Sequence, residues 1–222
     1  MKGLKKPLRG IKKVMLNKTK KTLVLSAHCD DGELGCGGTM ARLVQDGTEL
    51  FSAVFSLAEK VGNEDTKRKP EFIEAAKALG IPEDHLIFYE YPIRYFPQHA
   101  PQIRDEMFLL NQKLKPEIVF LPPLNDIHQD HQVITQEAIR IFKHATVLSY
   151  ETSWNNYKFS PNFFVTINFD QLDKKIKSVE EYKSQTGKTF MEADFLKGLA
   201  RFRGLQAGEN FAEAFEVIRA KY

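Results

Sequence analysis

The chain has 222 residues, of which 42% are hydrophobic and 27% charged. That make-up suits one folded domain and argues against disordered, collagen-like or disulfide-scaffold proteins; two cysteines, Cys29 and Cys36, fit a reducing compartment. The net charge of +3 is unevenly placed: residues 1–21 hold nine Lys/Arg and no acid, which leaves residues 22–222 as a mildly acidic single domain behind a basic N-terminal arm.

The arm's longest apolar run is Val14-Met15-Leu16. This is far short of a signal-peptide core or a membrane span, so a cytoplasmic protein without a transmembrane segment is expected. Behind the arm, strand-like and helix-like stretches alternate. Residues 22–27 (TLVLSA) form a short apolar run, the mark of a buried strand. A helix is expected over 37–46, with Met40, Leu43 and Val44 on one face, followed by a strand over Glu49–Ser56. Pro70 suits a first helical position, with Phe72, Ala75, Ala76 and Leu79 at helical spacing before Gly80. A weak strand over 86–89 precedes a helix marked by Ile103, Met107, Leu110 and Leu114. Ile118–Leu121 is a strand closed by two prolines, 133–143 is helical, and Thr146–Tyr150 is strand-like. This β-α-β-α-β order implies a mostly parallel α/β sheet flanked by helices. The remainder reads as an extension: a strand over Phe163–Ile167, helical spacing at Leu172, Ile176, Val179 and Tyr182, another helix at Leu196, Leu199 and Phe202, and a short strand over 214–218.

Two polar clusters follow strands. His28-Cys29-Asp30-Asp31-Gly32-Glu33 comes directly after the first, and Asp126-Ile127-His128-Gln129-Asp130-His131 comes shortly after Ile118–Leu121. In open parallel sheets the carboxyl edge of the strands is where ligands bind. Imidazole and carboxylate suit a divalent metal, and three protein ligands with an open position make a catalytic site. His28 and Asp31 are three apart, as are His128 and His131, so a turn can bring each pair to one side. Asp30 and Asp130 can then serve as outer partners or bases. His85, His99 and His144 show no such company.

The stretch LVLSAHCDDGELGCGGTMARLVQDG, together with HQDH downstream, resembles the signature of the PIG-L (LmbE-like) metal-dependent N-deacetylases. Weaker matches are Arg68-Lys69-Pro70-Glu71 with Leu79-Gly80, Lys115-Pro116, Tyr182-Lys183-Ser184-Gln185 and Ala212-Glu213-Ala214-Phe215. The resemblance implies a Rossmann-like fold and hydrolysis of the N-acetyl amide of an amino sugar. It implies His28, Asp31 and His131 as metal ligands and Asp30 as general base toward the attacking water. His128 would stabilise the oxyanion and protonate the leaving amine, Asp130 would tune or orient a motif histidine, and Arg68 would contact substrate. The implied cofactor is a divalent ion, first Zn²⁺, with Fe²⁺, Co²⁺, Ni²⁺ and Mn²⁺ open to the same ligands. Implied partners are a small N-acetyl amino sugar and a possible second copy of the chain. The chain departs from the signature at Cys29, where proline is usual, and at Gly32, with Glu33 one place later than the usual glutamate.

Two other readings compete. The stretch 35–38, with Gly35, Gly37 and Gly38, resembles the glycine-rich loop of S-adenosylmethionine-dependent methyltransferases, although it does not follow its strand directly. The basic arm with Tyr89, Tyr91, Tyr95 and Phe96 could form a nucleic-acid surface. The net acidity of the body argues against nucleic acid as a partner.

Overall fold

A computed structural model describes residues 19–57, 60–61, 64–65 and 68–221. The basic arm lies outside these residues except for its end, where Lys21 opens the first strand. In chain order the elements are β1 (Lys21–His28), α1 (Asp31–Gln45), β2 (Glu49–Ser56), a two-residue hairpin of β3 (Lys60–Val61) and β4 (Glu64–Asp65), and α2 (Arg68–Leu79). Then come β5 (Leu86–Phe88), α3 (Phe96–Leu114), β6 (Ile118–Leu121), α4 (Gln129–Ile141), β7 (Thr146–Tyr150), β8 (Phe163–Ile167), α5 (Phe169–Glu180), α6 (Ala193–Ala207) and β9 (Phe211–Arg219).

Seven strands form one sheet in the order β5-β2-β1-β6-β7-β9-β8. The first five run parallel, and β9 lies antiparallel between β7 and β8. β1 is apolar without alternation because both of its faces are covered. Val24 packs with Met40, Leu43 and Phe72 on the α1–α2 side, while Leu23 and Leu25 pack with Ile103, Met107 and Ile134 on the α3–α4 side. The chain leaves β1 toward β2 on one side, and β6 starts the other side. The switch point therefore falls between the neighbouring strands β1 and β6, where ligands gather in doubly wound sheets.

Several boundaries differ from the periodicity. α1 begins at Asp31 and α4 at Gln129, so both polar clusters run into helix N-termini rather than ending in loops. Their first turns carry ligands and glycines instead of apolar residues, so no apolar period marks them. α2 starts at Arg68, which puts Pro70 third; the first turn has no internal use for its N–H groups, so proline is accepted there. α5 ends at Glu180, leaving Tyr182 beyond it. β9 spans nine residues because it is paired on both sides.

The glycine-rich 35–38 stretch is not a loop. It is buried inside α1, where a Cβ on Gly35 would come within 2.3 Å of the Tyr150 ring and one on Gly38 within 2.6 Å of Ile167. These glycines let the helix lie against β7 and β8 and cradle no ligand, which removes the methyltransferase reading. α1 is broken at Cys36 (φ −146°, ψ 23°). Past the break, the Gly38 and Thr39 N–H groups donate to the Glu213 carboxylate at 3.0 and 2.6 Å, and Lys175 pairs with the same carboxylate at 2.5 Å. The aromatics named for a nucleic-acid surface do not form one exposed face, and the basic arm of that reading lies almost wholly outside the described residues. Phe96 is fully buried, Tyr89 and Tyr91 are half-buried and stack on Phe55, and Tyr95 is exposed.

Candidate metal centre

His28 is the last residue of β1, and Asp31 opens α1. The Asp31 carboxylate accepts the His28 N–H at 2.7 Å, which ties the strand end to the helix start. The loop after β6 brings His131 into the first turn of α4. Three atoms then meet. His131 Nε2 lies 3.3 Å from His28 Nδ1 and 3.3 Å from Asp31 Oδ2, and His28 Nδ1 lies 3.6 Å from the same carboxylate oxygen. A tetrahedral ion with bonds of about 2.0–2.2 Å holds its ligand atoms about 3.3–3.6 Å apart, so this buried triangle fits such an ion.

The far side of each ring is fixed by a carboxylate. His131 Nδ1–H donates to Asp126 Oδ2 at 2.8 Å, and His28 Nε2–H donates to Asp130 Oδ2 at 3.1 Å. Carboxylates only accept, so the outer nitrogen of each ring carries a proton, and with the rings neutral, as a metal requires, both lone pairs point into the triangle. The carboxylates are themselves held. Asp126 accepts the His128 N–H at 2.8 Å and the Thr152 hydroxyl at 2.7 Å. Asp130 accepts the N–H groups of Arg94, at 2.6 Å, and Phe96, at 3.3 Å. Arg94 adopts a left-handed backbone (φ 72°) to make that bond. A left-handed arginine costs about 1–2 kcal/mol and is sustained by such a charge-assisted contact.

Titration follows from this arrangement. Burial disfavours a charged His131, but the Asp31 and Asp126 carboxylates outweigh it and raise the imidazole to about 10. Burial would raise Asp31, yet His131 and then His28 hold it well below the usual carboxylate range. Burial would also raise Asp130, but the His28 hydrogen bond and the two N–H donors lower it. His128 is lowered by burial and by the neighbouring imidazoles. Its Nδ1 accepts the Asp130 N–H at 3.1 Å, so its single proton belongs on Nε2.

Asp30 precedes α1 and makes no side-chain cap. Burial raises its carboxyl, and the charge of Asp31 raises it further, against the pull of His28, Arg68 and Lys188. Arg68 opens α2 with its Nε buried and without a hydrogen-bond partner among the described residues. Cys29 is buried, its thiol pushed up by burial and then by Asp30, and its Sγ lies 3.4 Å from the Leu57 carbonyl. That makes it a packed thiol rather than a ligand. Glu33 is fully buried, and among the described residues neither of its oxygens has a well-formed hydrogen bond; the Tyr182 hydroxyl beside it donates to the Cys29 carbonyl instead. Burial lifts Glu33 to about 8.

The structure thus brings together His28, Asp31, His131, His128 and Asp130, with Asp30 and Arg68 close enough to affect one another's charge. Asp30 and Asp31 sit at a helix start, Asp30 directly before α1 and Asp31 as its first residue. Asp126 stands in the same polar cluster, and its spacing of five before His131 is the one sequence signal for its part. Arg94 gave no signal, because its main chain makes the contact.

The family model described as GlcNAc-PI de-N-acetylase (PIG-L) matches residues 23–142, more than half of the chain. A curated relative in Escherichia coli (strain K12), an uncharacterized deacetylase called YaiS, is 28% identical over 178 residues, covering 76% of this chain and 93% of its own length. The diacetylchitobiose deacetylase of Thermococcus kodakarensis is 24% identical over 231 residues, covering 91% and 84%. Among solved structures, the N,N'-diacetylchitobiose deacetylase of Pyrococcus horikoshii superposes with a TM-score of 0.74 at 22% identity, covering 91% of this chain and 85% of that one.

Proposed function

Because the chain belongs to the PIG-L family, we propose that it is a metal-dependent hydrolase that removes the N-acetyl group from an N-acetylated amino sugar. The triangle of His28, Asp31 and His131, with a carboxylate behind each imidazole, is the observation that carries this reading. Relatives named as deacetylases, one of them acting on diacetylchitobiose, support the amide and the sugar. The three ligands suit Zn²⁺ first, and Fe²⁺, Co²⁺, Ni²⁺ or Mn²⁺ can use the same donors. When bound, such an ion polarises an amide carbonyl and lowers the pKa of water toward about 7.

The chain's own residues do the rest. Asp30, buried beside Asp31 and not among the ligands, takes the proton from the attacking water. His128, with Nδ1 occupied by the Asp130 N–H, presents Nε2–H as a donor to the developing oxyanion. That single proton makes His128 a poor acid, so the proton returned to the leaving amine is the one Asp30 took up. This moves the amine's protonation from His128, where the family resemblance puts it, to Asp30. Arg68 offers a planar five-donor group to sugar hydroxyls or a phosphate. No helix among the described residues is long and apolar enough to cross a membrane; we place the protein in the cytoplasm.

Acetate release from a panel of N-acetylhexosamine conjugates, with metal-loaded and chelated protein, tests the proposal. Release that chelation abolishes and metal restores is expected. Release indifferent to chelation, or none from any conjugate, overturns it.

A further inference from the structure

The segment that follows β7 carries a buried side chain that no step of the reaction above uses. Thr152 is fully buried, two residues past the end of the strand. Its hydroxyl donates to Asp126 Oδ2 at 2.7 Å, and that same oxygen accepts the His131 Nδ1–H at 2.8 Å. A hydroxyl has one proton and a carboxylate only accepts, so the direction of this bond is fixed.

The two donors on Oδ2 leave Asp126 few ways to lie. Its Oδ1 accepts the His128 N–H at 2.8 Å. One imidazole N–H on the other oxygen would let the carboxylate turn about its Cβ–Cγ bond, and a second donor from a separate segment removes that freedom. Threonine suits the task. Its branched Cβ stiffens the first side-chain torsion, and burial keeps water from competing for the hydroxyl proton. The main chain beneath is held as well. The Asn155 N–H donates to the Thr152 carbonyl at 3.0 Å, and the Ile127 N–H donates to the Asn155 carbonyl at 3.0 Å. Glu151, one residue earlier, is clamped by Arg203 of α6, whose Nε and Nη2 donate to its two oxygens at 2.9 and 2.5 Å. Trp154, two residues later, stacks on Phe190, with 4.5 Å between ring centroids. The hydroxyl is thus placed by the C-terminal extension, which supplies none of the three metal ligands.

We propose that Thr152 is a positioning residue for His131: through Asp126 it holds the imidazole with Nε2 turned toward His28 and Asp31. The inference rests on the metal-dependent reading above and adds a chain, Thr152 to Asp126 to His131, by which the extension sets the geometry of the metal centre. Partners behind a ligand tune a metal site by fixing the ligand's orientation. A hydroxyl that only tied down the segment after β7 would stabilise the fold and leave metal affinity alone.

Thr152→Val keeps the shape of the side chain and removes the donor, whereas Thr152→Ser keeps the donor and removes a methyl group. Zn²⁺ affinity of the full-length protein is measured by chelator competition, well below the Tm of each variant. Thr152→Val should bind Zn²⁺ about tenfold more weakly than the wild type, the lower end of the range for losing a partner behind a ligand. Thr152→Ser should return to within about twofold, and Thr152→Val should add less than about twofold to Asp126→Asn, because the link is already cut. A Thr152→Val protein that loses Tm yet binds Zn²⁺ as tightly as the wild type overturns the proposal. Equal losses in Thr152→Val and Thr152→Ser overturn it too, as does a full tenfold loss on top of Asp126→Asn. A second reading needs no metal: the His131 Nδ1–H, followed by NMR in the metal-free protein with isotope-labelled histidine, should exchange with water faster in Thr152→Val and not in Thr152→Ser. A wild type that takes up no Zn²⁺ while this exchange pattern holds brings down the metal reading and leaves the hold of Thr152 on His131 standing. Tight Zn²⁺ binding with no difference among the variants does the reverse.

Discussion

Two buried charged clusters border α1, and their chemistry is opposite. At the break in the helix, Glu213 meets two main-chain N–H groups and the Lys175 ammonium, so its lone pairs face protons supplied by the protein. At the start of the same helix, His28 Nδ1, His131 Nε2 and Asp31 Oδ2 turn lone pairs toward one another, because the imidazole protons are directed outward to Asp130 and Asp126. Acceptors facing acceptors in a low-dielectric interior repel until a cation joins them. Without a metal, a proton on His131 fills that need, and the Asp31 and Asp126 carboxylates that favour it raise the imidazole to about 10 against burial. Buried charge with matched donors is architecture, and buried charge with surplus acceptors is a cation site.

The contrast breaks most visibly at Asp31. Asp31→Ala should empty the site of metal and lower kcat/KM by at least about 10³-fold, while Asp30→Asn should keep the metal and lose about 10²–10⁴-fold in kcat. Elemental analysis beside acetate release separates them, and full turnover in Asp30→Asn would refute its role as base. The next effect lies in the other cluster. Glu213→Ala strands a buried lysine and should cost about 3–5 kcal/mol, read as a lower Tm, with metal content and turnover per folded molecule retained. Loss of metal in a folded Glu213→Ala protein would erase the distinction between the clusters. Asp126→Asn keeps the size of the side chain but weakens its hold on His131, and should reduce metal affinity about 10–100-fold in a chelator competition.

The smallest effect sharpens the comparison through Glu33, a buried acid that belongs to neither cluster. Its folded value of about 8 stands above the unfolded 4.5, so below the lower value both states are protonated. Between these values only the unfolded chain releases its proton, and stability is lost as pH rises through the window. In denaturant titrations of the metal-free protein, Glu33→Gln should match the wild type near pH 4 and exceed it by about 1–2 kcal/mol at pH 8, after relaxation has absorbed part of the penalty. A constant difference across that range would place the Glu33 carboxyl in contact with water.

The sheet was legible because β1 and β6 are apolar on both faces, and the site because its histidines and aspartates interrupt those runs at their carboxyl ends. His28, Asp31, His128, Asp130 and His131 could be picked out by residue type alone. The starts of α1 and α4 could not, since a first turn built from ligands and glycines has no apolar period. Glu213 and Gly38 lie 175 residues apart, and nothing near either foretells their contact. The roles of Asp126 and Arg94 arise from how separate loops meet.

The bond from the Arg94 main chain to Asp130 bears on how this protein can diverge. A side-chain ligand is erased by one codon change, but an N–H is carried by every residue except proline. The link that aims His28 through Asp130 is therefore insulated from most point mutations at position 94, and glycine there would relieve the left-handed strain while keeping the donor. What it does not survive is a change in loop length. Side chains beside it, that of Tyr95 among them, can change while the hold on His28 is inherited unaltered.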